Sequence, residues 1–257
     1  MVSRISIALL PSEAALAAAD CSIVVDTLRA TTTLAALFAR GLVEVWVASD
    51  IDLARRLAAD HGAVLLGEVG GLPPAGFAMG NSPLEVMQRG LASQRAVLFT
   101  TNGTKALCEV APRGVTFAGA MVNASAVARA ARRFERVRLV CAGESGGRGF
   151  ALEDFAVAAA IAEVLGRGSD GVERDDAATL ASASDEHLRR RWIGEAAHAG
   201  VLRALGLSED ISFASEPDTL SCAPYVAEFG DGWARLTDGA PGTDIPPMPA
   251  ADDPPHD

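Results

Sequence analysis

Short apolar runs alternate with helix-like segments along most of this chain, and this alternation limits the possible folds more than any other feature of the sequence. The spacing of apolar residues predicts strands over 4–10, 21–26, 44–48, 63–66, 96–100, 115–118 and 137–141, and helices over 32–40, 51–61, 83–90, 105–110, 124–134 and 153–165. Buried strands that alternate with helices form a mostly parallel sheet with helices on both faces. We therefore predict an α/β fold with three layers, α/β/α, around a mixed, mostly parallel sheet.

The C-terminal part of the chain follows a different pattern. A polar, glycine-containing stretch at 166–176 predicts an exposed excursion, 185–205 has a helical pattern, and 213–236 predicts strands that return to the same sheet. We expect residues 1–237 to form a single α/β unit or two closely packed halves. Residues 238–257 hold five aspartates, six of the thirteen prolines and no lysine or arginine, which is the composition of a disordered acidic tail.

Charge and composition exclude several classes of function. Of the formal net charge of −11, the tail contributes −5, which leaves −6 on the remainder of the chain. An acidic surface without a basic patch argues against nucleic-acid binding. No apolar run reaches the roughly 18 residues that a membrane helix needs, so we expect no membrane association.

The cellular setting is predicted from the N-terminus and the cysteines. The first ten residues run into Pro11 and Glu13 and lack the long apolar stretch of a signal peptide. The four cysteines are far apart, which favours reduced thiols in a cytoplasmic protein over disulfides or a zinc site. A homodimer is the commonest symmetric assembly and is our expectation for the oligomeric state.

The segment that follows the 96–100 strand has the features of an anion site. Thr100, Thr101 and Thr104 supply hydroxyl groups, Asn102 supplies an amide, and Gly103 lets a ligand approach the backbone closely. A helix begins directly afterwards, and its free N–H groups and dipole favour an anion. Lys105, the only lysine in the chain, follows in the same turn. The alternative is an N-capped helix with a surface lysine.

Polar residues also lie at the ends of three other predicted strands. Asp26 is the last residue of the predicted 21–26 strand, Glu68 follows the 63–66 strand, and Glu144 follows the 137–141 strand. Ligands of parallel sheets bind beyond the carboxyl ends of the strands, so four such motifs predict one site. Asp26 offers a hard oxygen ligand for a metal, although it could instead cap the next helix, and Glu68 could be an exposed loop residue.

Further candidates come from the segments beside these strand ends. Arg29 offers a planar fork for phosphate, and Thr31 and Thr32 begin a helix whose N–H groups could hold anion oxygens. Asn81 or Ser82 caps the 83–90 helix, and Asn123 is an N-cap whose amide could turn into the site.

Magnesium is the metal that these residue types predict. Glu153 and Asp154 begin an apolar helix, and adjacent helical residues point about 100° apart, so we expect one of the two to face the site. None of the four histidines lies in a strand-end motif, and we predict that His187 and His198 are surface or interface residues. Oxygen ligands combined with anion-holding groups favour Mg²⁺ and a small anionic phosphate ester as substrate.

Taken in order, seven short motifs resemble the 2-phosphosulfolactate phosphatase family, which consists of magnesium-dependent enzymes associated with coenzyme M biosynthesis. The motifs are Val25-Asp-Thr-Leu-Arg-Ala-Thr-Thr32, Gly67-Glu68, Gly80-Asn-Ser-Pro83, Thr100-Thr-Asn-Gly-Thr104, Asn123-Ala-Ser-Ala126, Cys141-Ala-Gly143 and Glu153-Asp154. The similarity extends from the first strand to about Leu236 and includes residues 210–213. It implies a phosphoric monoester hydrolase that converts 2-phospho-3-sulfolactate to 3-sulfolactate and phosphate.

The site predicted from these residues has three parts. The catalytic residues are Asp26, Arg29 and Lys105. The metal ligands for Mg²⁺ are Asp26, Glu68 and one of Glu153 or Asp154. The substrate-binding residues are Thr31, Thr32, Asn81, Ser82, Thr100, Thr101, Asn102, Gly103, Thr104 and Asn123.

Two mechanisms and three functions stay open at this stage. Direct attack by water is favoured over Asp26 as a covalent nucleophile, because Leu28 stands where phosphatases of the haloacid-dehalogenase type carry a second aspartate. The functional alternatives are a phosphatase for another small 2-phospho-hydroxy acid and a non-catalytic anion-binding domain.

Overall fold

The fold is taken from a computed structural model that describes residues 2–15, 18–89, 91, 94–168 and 171–239. The strands are β1 Arg4–Ala8, β2 Cys21–Val25, β3 Glu44–Ala48, β4 Val64–Gly67, β5 Arg95–Phe99, β6 Val115–Gly119, β7 Arg136–Cys141, β8 Glu173–Arg174, β9 Pro224–Gly230 and β10 Trp233–Asp238. The helices are α1 Ala30–Ala39, α2 Ile51–His61, α3 Pro83–Gln88, α4 Gly103–Val110, α5 Ala124–Ala131, α6 Leu152–Gly166, α7 Asp176–Ala181, α8 Glu186–Glu195, α9 Ala197–Ala204 and α10 Ser208–Ala214.

The described strands form one mixed sheet with the order β4-β5-β3-β10-β9-β6-β2-β7-β1-β8. Strands β6, β2, β7, β1 and β8 are parallel to one another, and so are β4, β5 and β3. The β9–β10 hairpin lies between these two groups and pairs antiparallel with each of them. The predicted three-layer α/β fold with a mixed, mostly parallel sheet is confirmed.

Alternation of side chains along the strands produces the two faces of this sheet. In β3, Val45 and Val47 lie in the core of one face, whereas Trp46 and Ala48 lie in the core of the other. The first face is covered along its length by α1, α3 and α4. The opposite face carries α5, α6, α7 and α8 on the side of β1 and α2 on the side of β5, so helices bury both faces.

Two helices are apolar on nearly all sides because they lie deep in these layers. Every residue of α1 except Ala39 is buried, and so are most residues of α6. The amphipathic α2 instead lies at the surface, begins at the N-cap Asp50 and ends before Gly62, which has φ 59°. No helix in the described part of the chain is long and apolar enough to span a lipid bilayer.

The C-terminal part differs from the prediction in three places. The 166–176 stretch contains the short edge strand β8, the 185–205 segment forms the two helices α8 and α9, and the start of the predicted 213–236 strand region belongs to α10. The spacing of apolar residues did not predict these element boundaries, because each helix in this region is too short to show a clear helical repeat of its own. Strand β10 ends at Asp238, whose side chain accepts a hydrogen bond from the Ala223 N–H, so this residue belongs to the sheet. The rest of the predicted tail, 240–257, lies outside the described residues.

Candidate active site

The ends of β2, β4, β5 and β7 meet although the two groups of parallel strands run in opposite directions. A Cβ atom added to Gly103, after β5, would lie 2.4 Å from Asp26 Oδ2, after β2. The Gly146 N–H, after β7, donates to Asn102 Oδ1 at 2.8 Å. Five neighbouring pairs separate β5 from β2. A sheet twists by roughly 20–25° per pair of strands, which adds up to about 100–125° between β5 and β2. Because of this twist the two strands cross at an angle instead of running antiparallel, and their carboxyl ends lie on the same side of the molecule.

Asp26 lies at the centre of the site, in the turn between β2 and α1. Its side-chain Oδ1 accepts a hydrogen bond from the Ala30 N–H at 3.1 Å, and the side chain is buried. Burial raises the pKa of the Asp26 carboxyl, and the charge of Glu68 adds to this effect. A charge on His198 and the N–H group of Gly103 lower the same pKa. Asp26 is thus a buried acid that would be stabilised in its ionised form by a cation.

Glu68 holds two loops against each other. Its Oε1 accepts hydrogen bonds from both the N–H and the hydroxyl of Thr101 at 2.9 Å, and its Oε2 accepts one from the Gly71 N–H at 2.7 Å. Three donors therefore already surround this buried carboxylate. The predicted role as a metal ligand is not needed to explain its burial.

Glu153 and Asp154 differ in what their carboxylates contact. Asp154 accepts from the Thr27 N–H at 2.8 Å and from the Gly143 N–H at 3.1 Å, so it joins the turns that follow β2 and β7. Glu153 Oε2 is buried and has no hydrogen-bond partner among the described residues. The pKa of both acids is raised, first by burial and next by neighbouring carboxylates, and for Glu153 it reaches about 7. Glu153 is therefore the member of the pair with an oxygen free for a ligand.

A histidine that we predicted to lie at the surface or at an interface lies beside Glu153. His198 Nδ1 is 3.9 Å from Glu153 Oε1, and its side chain is 26% exposed. One ligand atom from each of Glu144, Glu153 and His198 lies within 4.8 Å of the other two. Glu144 follows β7 and could have been chosen as a ligand from its place at a strand end. His198 has no such signal, because α9 reaches the site through packing of Ala199 and Leu202 with Leu28.

The predicted anion turn forms the start of α4. The Thr100 N–H donates to Thr104 Oγ1 at 3.0 Å, and the Thr104 N–H donates to Thr100 Oγ1 at 3.2 Å. These two threonines thus stabilise the helix start. Lys105 is exposed and forms no ion pair within the described chain, and a Cβ atom added to Gly146 would lie 3.9 Å from its Nζ. Asn102 and Lys105 therefore both lie beside the loop that follows β7.

Arg29 forms a buried ion pair that the sequence did not indicate. Its Nη1 donates to Asp210 Oδ2 at 2.8 Å, and its Nη2 donates to the Gly71 carbonyl oxygen at 3.0 Å. Both charged side chains are 3% exposed. The other oxygen of Asp210 accepts from Ser82 Oγ at 2.6 Å. Two N–H groups of the Arg29 guanidinium, which we predicted to bind phosphate, are therefore occupied by protein acceptors. Only its remaining N–H groups could bind a substrate.

Several predicted substrate-binding groups instead hold the backbone. The Thr31 hydroxyl donates to the Asp26 carbonyl oxygen, and the Thr32 hydroxyl donates to the Thr27 carbonyl oxygen. Both threonines are completely buried inside the turn before α1, which accounts for their local partners.

Asn123 and Asn81 have opposite environments. Asn123 Oδ1 accepts from the Ala120 N–H, and its Nδ2 donates to the Ala118 and Cys222 carbonyl oxygens. Its amide is thus fully used and does not turn into the site. Asn81 Oδ1 is buried without a partner in the described chain, so this acceptor oxygen, unlike the amide of Asn123, is available to a ligand.

A cavity of about 540 Å³ lies away from these residues, along α6. Ala159, Glu163 and Arg174 are among its lining residues, and none of the predicted site residues contributes to it. Carboxylates rather than cavity size therefore distinguish the candidate active site.

Fold and site together define an α/β protein in which buried carboxylates collect where strand ends and the starts of α1 and α4 meet. The model of the 2-phosphosulpholactate phosphatase family matches residues 8–228. A probable 2-phosphosulfolactate phosphatase of Deinococcus radiodurans is 37% identical over 82% of this chain and 90% of its own length. A protein of Gloeobacter violaceus with the same description is 35% identical over 82% of this chain and 90% of its own length. A third, from Thermus thermophilus, is 34% identical over 87% of this chain and 94% of its own length.

The chain belongs to the 2-phosphosulfolactate phosphatase family, and its activity class is that of a phosphoric monoester hydrolase. The resemblance drawn from the seven short motifs is thereby confirmed.

Proposed function

We propose that this protein is a magnesium-dependent phosphatase that hydrolyses 2-phospho-3-sulfolactate to 3-sulfolactate and phosphate. The observation that carries the proposal is the buried Glu153 Oε2, which has no partner among the described residues and whose carboxyl feels the charge of the buried Asp26. A carboxylate oxygen without a donor is costly in a protein interior unless a cation or a proton accompanies it. Family membership gives the ester class, since the relatives are described as phosphatases of that compound.

The residues present fit a divalent cation. The charge of Asp26 raises the pKa of both Glu153 and Asp154, as expected of carboxylates that are buried close together. Asp26 and Glu153 would hold Mg²⁺, while Asp154 and Glu68 keep the surrounding loops in place. When bound, the ion would neutralise charge on the phosphoryl oxygens.

The anionic substrate would be held by groups that lack protein partners. Lys105 is such a group within the described chain, and Asn102 lies on the same turn. The unpartnered Asn81 Oδ1 is an acceptor, so it would contact a hydroxyl group, a water or a cation rather than an anion oxygen. Arg29 would contribute its remaining N–H groups from a position fixed by Asp210. These residues can orient a phosphate ester that carries a second acidic group, which is the chemistry that a sulfolactate ester presents.

Direct attack by water remains our proposed mechanism. Leu28, two residues after Asp26, is buried against α9 and α10 and so provides no acid beside Asp26. Oxygen-18 incorporation in a single turnover tests this. Label that enters the protein before it enters phosphate would establish Asp26 as a covalent nucleophile and exclude direct attack.

The functional test is phosphate release from 2-phosphosulfolactate and from 2-phospholactate, with Mg²⁺ and with chelator. We expect metal-dependent release from the sulfonated ester that is lost in Asp26→Asn and kept in the control Glu109→Gln, which changes an exposed residue of α4. Preference for 2-phospholactate would assign another 2-phospho-hydroxy acid as substrate. If a broader panel of phosphate esters also gave no release, the protein would be a non-catalytic anion-binding domain.

The proposal also includes the setting of the enzyme. We propose a cytoplasmic location, a role in coenzyme M biosynthesis, a homodimer, and one α/β unit over residues 1–237. Four free thiols, three of them buried, support the cytoplasmic location. Sedimentation of the full chain would decide the oligomeric state.

A further inference from the structure

Glu144, Glu153 and His198 bring three potential ligand atoms together from separate parts of the chain. Glu144 belongs to the loop after β7, Glu153 to the first turn of α6, and His198 to α9. All three ligand atoms lie within 4.8 Å of one another. The 3.9 Å between His198 Nδ1 and Glu153 Oε1 is too long for a hydrogen bond. Two ligands placed at about 2.0–2.2 Å from one ion are separated by roughly 3–4.4 Å, so the gap suits a bridging cation.

A second observation points to a ligand at the same place. Glu153 is 2% exposed, and its Oε2 has no hydrogen-bond donor in the described part of the chain. His198 is its sole ion-pair partner there, and no lysine or arginine compensates its charge. A buried carboxylate oxygen in this position gains most from a positive ion placed between it and the imidazole.

The imidazole decides which cation suits the site. Magnesium prefers oxygen ligands in a nearly ideal octahedron and retains several waters. First-row transition ions accept nitrogen as well as oxygen, and their affinity for such sites rises from Mn²⁺ towards Cu²⁺. A site with two carboxylates and one imidazole therefore favours a transition ion over Mg²⁺.

We propose that Glu144, Glu153 and His198 form a three-ligand site that binds divalent first-row transition ions, with Mn²⁺ as the probe, more tightly than it binds Mg²⁺. The inference refines the metal requirement of the proposed function and rests on that function for its catalytic meaning. Mg²⁺ would compete at higher concentration through the carboxylates Glu144 and Glu153, and Glu153 is the ligand that this site shares with the Asp26–Glu153 pair. Because His198 belongs to α9, this helix becomes part of the metal centre. The polar motifs at the strand ends do not include it.

Electron paramagnetic resonance of Mn²⁺ tests the site on the full, chelator-treated chain. We expect one Mn²⁺ per chain, bound at least tenfold more tightly than competing Mg²⁺, with magnetic coupling to an imidazole nitrogen. His198→Asn should abolish the nitrogen coupling and lower Mn²⁺ affinity at least tenfold while changing Mg²⁺ affinity much less. Glu144→Gln should weaken both ions. The matched control is His187→Asn, an exposed histidine on α8, which should change nothing.

Three results would overturn the inference. They are the absence of Mn²⁺ binding, binding without nitrogen coupling in the wild type, and unchanged Mn²⁺ affinity in a folded His198→Asn protein. The wild-type coupling does not depend on any variant, so it decides the question even if a variant fails to fold. Nitrogen-coupled Mn²⁺ without phosphate release would refute the proposed function alone, and Mg²⁺-dependent release without the coupling would refute the metal site alone.

Discussion

Gly103→Ala tests whether the start of α4 is pressed against Asp26. The added Cβ atom would lie 2.4 Å from Asp26 Oδ2, 2.8 Å from Asp26 Cβ and 2.6 Å from Ala30 Cβ. Nonbonded atoms normally stay about 3.5 Å apart, so the α4 start and Asp26 must separate by roughly 1 Å. Gly103 itself is not in the left-handed region, and the cost arises from this contact.

The two expected effects of Gly103→Ala differ in size. Overpacking of this kind lowers the free energy of unfolding by about 1–3 kcal/mol. A shift of about 1 Å in a catalytic group costs on the order of 100-fold in rate. The variant should therefore retain its fold at room temperature and lose most of its kcat.

Urea unfolding and phosphate release measure these effects separately. Gly200→Ala in α9 is the matched control because an added Cβ atom there meets nothing within 4 Å. Alanine is the better helix former, so this control should unfold at an equal or higher urea concentration and keep its kcat. If Gly103→Ala had wild-type stability and wild-type kcat, α4 would not constrain Asp26 and the site as described would be wrong.

Two further predictions concern buried charges. In chelator, burial raises the pKa of Glu153 from the usual 4.5 of a glutamate to about 7. Between these pH values the folded protein holds a proton that the unfolded chain has lost, so the free energy of unfolding falls as pH rises from 4.5 to 7. Glu153→Gln should reduce this loss by up to about 3 kcal/mol, measured as urea midpoints at pH 5 and pH 8; identical pH dependence in both proteins would contradict it. Asp210→Asn leaves Arg29 buried without its partner and should cost about 3–5 kcal/mol in urea unfolding, whereas Glu195→Gln in an exposed pair should cost less than about 1 kcal/mol. Equal costs would show that the buried pair is not structurally important.

Much of the fold could be predicted because its signals are local. Strand β3 and helix α2 have the predicted bounds. The alternation of side chains in β3 and the helical spacing of apolar residues in α2 are each contained in about ten residues or fewer. The same holds for the α4 start, where hydroxyl, amide and glycine residues follow a strand directly. The polar strand ends predicted which loops would meet.

The roles of individual side chains depended on partners distant in sequence. Arg29 is paired with Asp210 across 181 positions, and Asn123 binds the Cys222 carbonyl oxygen across 99. No local pattern indicates such partners, so groups that seemed free for a ligand are occupied. His198 was missed for the same reason, because its place follows from helix packing rather than from its neighbours in the chain.

The position of the β9–β10 hairpin makes assembly of the sheet depend on the end of the described chain. Strands β3 and β6 do not pair with each other, and the hairpin joins them through Val47 opposite Ala234 and Phe117 opposite Tyr225. Contacts between residues so far apart in sequence slow folding, because the long chain between them must first be closed into a loop. A shortened chain that stopped before Trp233 would retain every candidate site residue, yet it would lack the strand that joins β3, and through it β5 and β4, to the rest of the sheet.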